Sequence, residues 1–252
     1  MCIRDSAYFA PIYFWLIDDD DPKVRALAIE GLWEDEDVRL INPLIRRIKS
    51  DDAAEVRAVA AGSLGRFMLM GELEQLDTTI ARRIENTLRN AFSGTEPDVT
   101  VRRRALESLA YSSQEYVQDL IREAYEDEDD GLRMSAVFAM GRSADRRWEN
   151  TVLEELGSSD SGMRFEAARA SGELELADAV PELIDCLDED DVELRDSAVW
   201  ALGRIGGPEA RRALQACAAS TDEDLREAAE DALAEMDSSS GDDDIPAFFL
   251  EP

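Results

Sequence analysis

Residues 191–203 read Asp-Val-Glu-Leu-Arg-Asp-Ser-Ala-Val-Trp-Ala-Leu-Gly, and the chain writes this phrase more than once. It returns at 160–172 and 129–141, and more loosely at 222–234. Its arginine serves as a ruler. Arg102, Arg133, Arg164, Arg195 and Arg226 stand 31 residues apart, Arg25 and Arg57 are separated by 32, and a gap of 45 leads from Arg57 to Arg102. A fixed period of this size signals stacked repeats, each too small to bury its apolar face alone. The ladder therefore predicts one elongated array of about seven units.

Within each unit the apolar spacing predicts two helices. In the sixth, Val180, Leu183, Ile184 and Leu187 mark a first helix, and Leu194, Ala198, Ala201 and Leu202 mark a second. Gly203 reads as the glycine that ends it. Aspartate stands four residues before the ladder arginine in six units: Asp21, Asp98, Asp129, Asp160, Asp191 and Asp222. In the second unit the pattern shifts by one, to Asp52. Such an aspartate caps free backbone N–H groups at the positive end of a helix. The arginine one turn later is placed to reach that carboxylate or the next repeat's, which makes the ladder scaffold rather than chemistry.

The array is expected to fill residues 7–236, with 67–95 as the break in metre: a lengthened first helix over 76–92, with loops at 68–71 and 93–97. Residues 1–6 match no part of the repeat and read as a non-native or disordered start. Residues 237–252 read as a flexible acidic tail with an apolar end. The apolar run at 7–17 is too short to span a bilayer. Pro11 stands 14 residues before Arg25, as Pro43 does before Arg57 and Pro181 before Arg195, so the run is the first helix of repeat one.

Composition narrows the chemistry. There are 58 acidic and 27 basic residues, a formal net charge of -31, and no histidine. Lys23 and Lys49 are the only lysines. Heat-adapted chains gain lysine together with glutamate, so this balance points instead to a salt-accumulating cytoplasm, where ions screen the self-repulsion; the alternative is an ordinary acidic repeat protein. Cys186 and Cys217 occupy one register position in neighbouring repeats. Packed helices about 8–10 Å apart hold such residues beyond disulfide reach, so both read as small buried hydrophobes.

The phrases Ala-Val-Pro-Glu-Leu-Ile (179–184), Asp-Asp-Val-Glu-Leu-Arg (190–195) and Ala-Leu-Gly-Arg-Ile-Gly (201–206) resemble HEAT repeats, and more narrowly the short bilin-lyase-type subclass. That resemblance covers about residues 7–235. It implies an all-α fold, a right-handed α-solenoid of two-helix repeats whose second helices line the concave face. Relatives include lyases, iron-binding hydroxylases, DNA-repair proteins and adaptors. Hydroxylase relatives bind iron through His-Glu pairs, which a histidine-free chain lacks. DNA-binding relatives use a basic groove, which a chain at -31 does not offer. There is also no nucleophile–histidine pair, phosphate loop or Cys-His metal set.

If the second helices face inward, their outward positions fall one and five residues after each ladder arginine. The ends of the array are small or acidic there, as at Ala26, Glu30, Ala58, Gly62, Glu227 and Asp231. The middle carries Met134, Phe138, Phe165, Arg169 and Trp200, residue types that anchor interfaces. The expectation is a non-enzymatic cytoplasmic adaptor that binds a protein or peptide there, with no cofactor, metal, nucleic acid or membrane. The alternative is a lyase-like or chaperone-like factor handling a prosthetic group on a client. The charge carries its own test: the midpoint of thermal unfolding should climb as KCl is raised into the molar range, and a midpoint already maximal in dilute buffer would exclude salt adaptation.

Overall fold

The computed structural model describes the backbone of residues 3–240 and side chains from residue 9 to 238. Of the flexible tail expected over 237–252, residues 237–240 are helical, the end of Glu223–Ser240, and 241–252 lie outside the description, as do the first two residues. Every regular element among the described residues is helical, as the repeat predicted: the protein is an all-α solenoid of paired helices. It divides into two compact units, one ending at Ala139 and the other beginning at Met140.

In the first unit the pairs are α1 (Ile3–Leu16) with α2 (Pro22–Glu30), and α3 (Ile41–Ser50) with α4 (Ala54–Ser63), which runs on as α5 (Gly65–Glu72). Then come α6 (Thr78–Ser93) with α7 (Val99–Leu109), and α8 (Glu115–Tyr125) followed by α9 (Asp130–Arg142), which crosses the unit boundary. The helix α1 includes residues 3–6, which match no repeat. The second unit pairs α10 (Glu149–Leu156) with α11 (Ser161–Glu173), α12 (Val180–Asp185) with α13 (Val192–Ile205), and α14 (Gly207–Cys217) with α15 (Glu223–Ser240). Second helices pack on second helices, α2 on α4 and α4 on α7, then α11 on α13 and α13 on α15. Of the apolar residues predicted for the sixth unit, Val180, Leu183, Leu194, Ala198, Ala201 and Leu202 are buried and Ile184 and Leu187 half-buried, and Leu132, Ala136, Leu214 and Ala229 are buried at the matching places of other repeats. Cys186 and Cys217 are buried free thiols, raised above the usual range by that burial.

Three details differ from the sequence reading. Gly203 does not end its helix, since α13 continues to Ile205 and the terminal residue is Gly206, at φ 73. The left-handed turn recurs at the same register at Ala144 and Glu175, both at φ 52. The ladder glycines do a different job. A Cβ on Gly141 would sit 2.6 Å from Ala170 Cα, one on Gly172 2.9 Å from Ala201 Cα, and one on Gly203 2.9 Å from Ala232 Cβ. Each is the point where successive second helices touch. Residues 68–71 are not a loop but lie within α5, where Phe67 and Met68 are buried apolar anchors. In the second repeat the cap position is Ala53 rather than Asp52, and the Asp51 carboxylate accepts the Ala53 N–H at 3.1 Å.

The other aspartates cap as expected: Asp98 accepts from Thr100 and Val101, and Asp191 from Glu193 and Leu194. Five of the seven ladder arginines reach forward into the next repeat, whereas Arg133 pairs with Asp130 and Arg226 with Glu223 of their own helices. Arg25 grips Asp51 through Nε at 2.9 Å and Nη2 at 2.6 Å, and its Nη1 donates to the carbonyls of Asp19 and Asp20. Arg57 grips Glu96 in the same two-pronged way, at 2.9 and 2.8 Å. Arg102 reaches Asp127, Arg164 reaches Glu189, and Arg195 reaches Asp222.

Two predictions follow from this packing. Gly141→Ala should destabilise by about 1–3 kcal/mol through overpacking, although Gly62→Ala, whose Cβ meets only Arg104 Cδ at 3.7 Å, should stabilise by roughly 0.5–1 kcal/mol. Paired denaturant curves decide this, and equal effects would rule out a special contact at Gly141. Asp51 supplies the second test, because its side chain is 0% exposed. Burial pushes its carboxyl up, but the Arg25 hydrogen bond, the Ala53 N–H and the charges of Arg25 and Arg47 outweigh that and hold it below the usual range. Its stabilisation is therefore complete above the unfolded carboxylate value, about 3.9, and is lost as pH falls through the lower folded value. Asp51→Asn should cost about 3 kcal/mol at pH 7 and should flatten the loss of stability below pH 4. A variant with an unchanged acid limb would refute this.

Candidate protein-binding face

The open side of each second helix is read from its ladder arginine. One residue on, the side chain is not always outward: Ala26 and Ala58 are buried. Five residues on it is outward, and nine residues on, one helical turn further, it is outward again. The nine-place positions are Arg66, Tyr111, Arg142, Glu173, Arg204 and Glu235 in the second to seventh repeats. Extending the turn count by four residues would have found them in the sequence.

In the first unit these positions surround a hollow of about 530 Å³ lined by Glu30, Trp33, Arg66, Arg104, Tyr111 and Phe138, among others. Trp33 is 65% exposed. Arg104 donates to Glu107 at 2.7 Å. Arg66 donates Nη1 to the Trp33 carbonyl at 3.0 Å and lies over the Phe67 ring, 4.7 Å from its centroid. Met134, half-buried on α9, does not line this hollow.

In the second unit Arg142, Arg169, Glu173, Trp200, Arg204 and Glu235 line a hollow of about 710 Å³. Trp200 is 37% exposed, and its ring edge lies over Gly172, where a Cβ would meet it at 2.6 Å. The guanidinium of Arg169 lies over the Phe165 ring at 5.8 Å. Phe165 is half-buried and does not line the hollow; its carbonyl accepts Ser197 Oγ at 3.3 Å. Arg142 Nη2 pairs with Glu173 at 2.7 Å. Burial pushes the Glu173 carboxyl up against the pull of Arg142, Arg169 and Arg204. The five sequence candidates are thus divided: Phe138 lines the first hollow, Arg169 and Trp200 line the second, and Met134 and Phe165 line neither. The helix geometry gives the face arginine and aromatic side chains suited to carboxylate and π contacts. Among the described residues no group of three or more histidine, cysteine, aspartate or glutamate side chains is placed to hold a metal ion, and no helix is long and apolar enough to cross a membrane.

Comparison with known proteins agrees with this architecture. The chain belongs to the HEAT-repeat family, whose pattern it matches over residues 11–91 and 149–234. No curated protein matches its sequence. Among solved structures, the CpcE–CpcF complex of phycocyanin lyase from Nostoc sp. PCC7120 is similar with a TM-score of 0.63 and 18% identity, covering 91% of this chain and 94% of that one. YibA of E. coli is similar with a TM-score of 0.51 and 17% identity, covering 93% and 82%. Human deoxyhypusine hydroxylase covers 93% and 89% with 22% identity and a TM-score of 0.44. At these identities the likeness is one of fold.

Proposed function

We propose that the chain is a non-catalytic scaffold of a salt-accumulating cytoplasm that binds a protein or peptide along the inner positions of its second helices. The observation that carries this is Trp200. A tryptophan that packs its ring edge over Gly172 yet keeps 37% of its surface exposed, set among arginines from three repeats on a chain of net charge -31, presents a large aromatic surface to solvent. Large aromatic and arginine side chains are the groups that concentrate binding energy at interfaces. The proposed contacts are Met134 and Phe138 in the first unit and Phe165, Arg169 and Trp200 in the second, extended in each by its own nine-place residues. The excess of carboxylates disfavours nucleic acid as the partner.

A second reading, a factor that handles a prosthetic group on a client protein, is supported by the hollow beside Trp200 and by the likeness to the phycocyanin lyase complex. That hollow is walled mainly by charged side chains, whereas small-molecule pockets are mostly apolar, so the first reading is preferred. The purified protein should accordingly carry no visible absorbance.

The test uses immobilised wild-type protein in high-salt lysate to recover partners. Trp200→Ala should reduce recovery by more than tenfold, the loss expected of a hot-spot residue at about 2 kcal/mol, and should lower stability by less than about 1 kcal/mol. Undiminished recovery combined with a large loss of stability would make Trp200 core and reject the reading.

A further inference from the structure

The nine-place positions of neighbouring repeats face one another, and this is where the two hollows differ. In the second unit, Arg142 is answered by the next repeat's nine-place residue, Glu173, at 2.7 Å. In the first unit, Arg66 occupies the same register, but the next repeat offers Tyr111. Tyr111 stands beside the start of α5, its Cε2 within 3.3 Å of a Cβ built on Gly65. Among the described residues Arg66 makes no ion pair. Its contacts are the Trp33 carbonyl and the Phe67 ring, and its Nε is shut away from solvent with no hydrogen-bond partner. Asp35 and Glu36 act on it only at longer range, and burial holds it down to about 10. A guanidinium sheltered in this way is costly unless paired. This chain has more than two carboxylates for every cation, and among the described residues none forms an ion pair with Arg66.

The other groups around it define what fits. Trp33, Tyr111 and Phe138 supply aromatic walls. Arg104 is occupied by Glu107 at 2.7 Å, and Glu30 stands on the rim. With Arg104 paired to Glu107, Arg66 is the cation of the hollow without an internal carboxylate, so there is room for one negative charge beside it. A second charge would meet Glu30. A single carboxylate next to a flat or apolar side chain satisfies both features.

Resting on the scaffold reading, we propose that this hollow is a docking site for a partner peptide in which an aspartate or glutamate side chain pairs with Arg66 while an adjacent aromatic or large aliphatic residue packs against Trp33, Tyr111 and Phe138. The carboxylate takes the place that Glu173 fills internally in the second unit. High salt screens the repulsion between an acidic peptide and the chain as a whole but weakens a sheltered pair much less, so specificity survives where long-range repulsion does not.

A random decapeptide library displayed on phage, selected against the full chain in molar KCl, tests this. Peptides with Asp or Glu beside Phe, Trp or Leu should be enriched, and for an enriched peptide the change of its acid to the amide should weaken binding about tenfold, as for a hydrogen bond to a charged group. Arg66→Met should abolish that acid–amide difference while leaving stability unchanged or higher, since a sheltered charge is removed. Tyr111→Glu should abolish it too, by supplying the internal carboxylate. Enrichment of neutral or basic peptides would overturn the acidic assignment and leave the scaffold reading standing. An acid preference that persists in Arg66→Met would also overturn it. Failure to enrich any peptide would overturn both.

Discussion

The structure depends on one contact repeated along the second helices: a glycine eight residues after the ladder arginine meets an alanine six residues after the next one. Gly141 meets Ala170, Gly172 meets Ala201, and Gly203 meets Ala232. With no side chain on one helix and a single methyl on the other, the backbones approach closely, and the larger apolar residues are left to seal the space toward the first helices. In the first unit Gly65 meets Ser108 instead, and that hydroxyl donates to the Ala61 carbonyl at 2.9 Å. A polar residue is tolerated there because the contact supplies its acceptor.

The arginine ladder fixes the opposite end of the same helices. Five of the guanidiniums, those of Arg25, Arg57, Arg102, Arg164 and Arg195, span from their own turn to a carboxylate in the following one, so there helix spacing is set by a glycine contact at one end and an ion pair at the other. The pairs are not equivalent. Arg25 and Asp51 are almost closed off from water, whereas Arg226 has only Glu223 of its own helix, at 3.4 Å in an exposed position. Buried pairs of this kind fix geometry more than they add net stability. Their cost is offset by the carbonyls and backbone N–H groups that complete each cluster.

Much of this was legible in the sequence because it repeats. The period gave the unit, the aspartates gave the helix starts, and the forward reach of the arginines was one of two partners the spacing allowed. Helix ends were harder to read. Ala144 and Glu175 take up left-handed geometry without being glycine, so nothing in their identity marks the turn, whereas the conspicuous ladder glycines drew the cap to the wrong place. The insertion hid α5 because Met68, Leu69 and Met70 belong to no repeat register. On the proposed binding face, the five-place residues are found from the sequence, but the nine-place residues are missed because counting outward positions stops one helical turn short.

That last omission shows how the scaffold limits its own function. A second helix spends its inner positions on alanine and glycine contacts and its first turn on the cap and the arginine. Outward positions free to vary are left five and nine places along. Identity at one of them has meaning only against the same position in the next repeat. Arginine before glutamate, as at Arg142 and Glu173, closes on itself and becomes part of the scaffold. Arginine before tyrosine, as at Arg66 and Tyr111, leaves a charge that the repeats do not neutralise. Under the proposed reading, recognition is written in mismatches between neighbouring repeats, and the constant residues matter because they hold those mismatches at a fixed spacing.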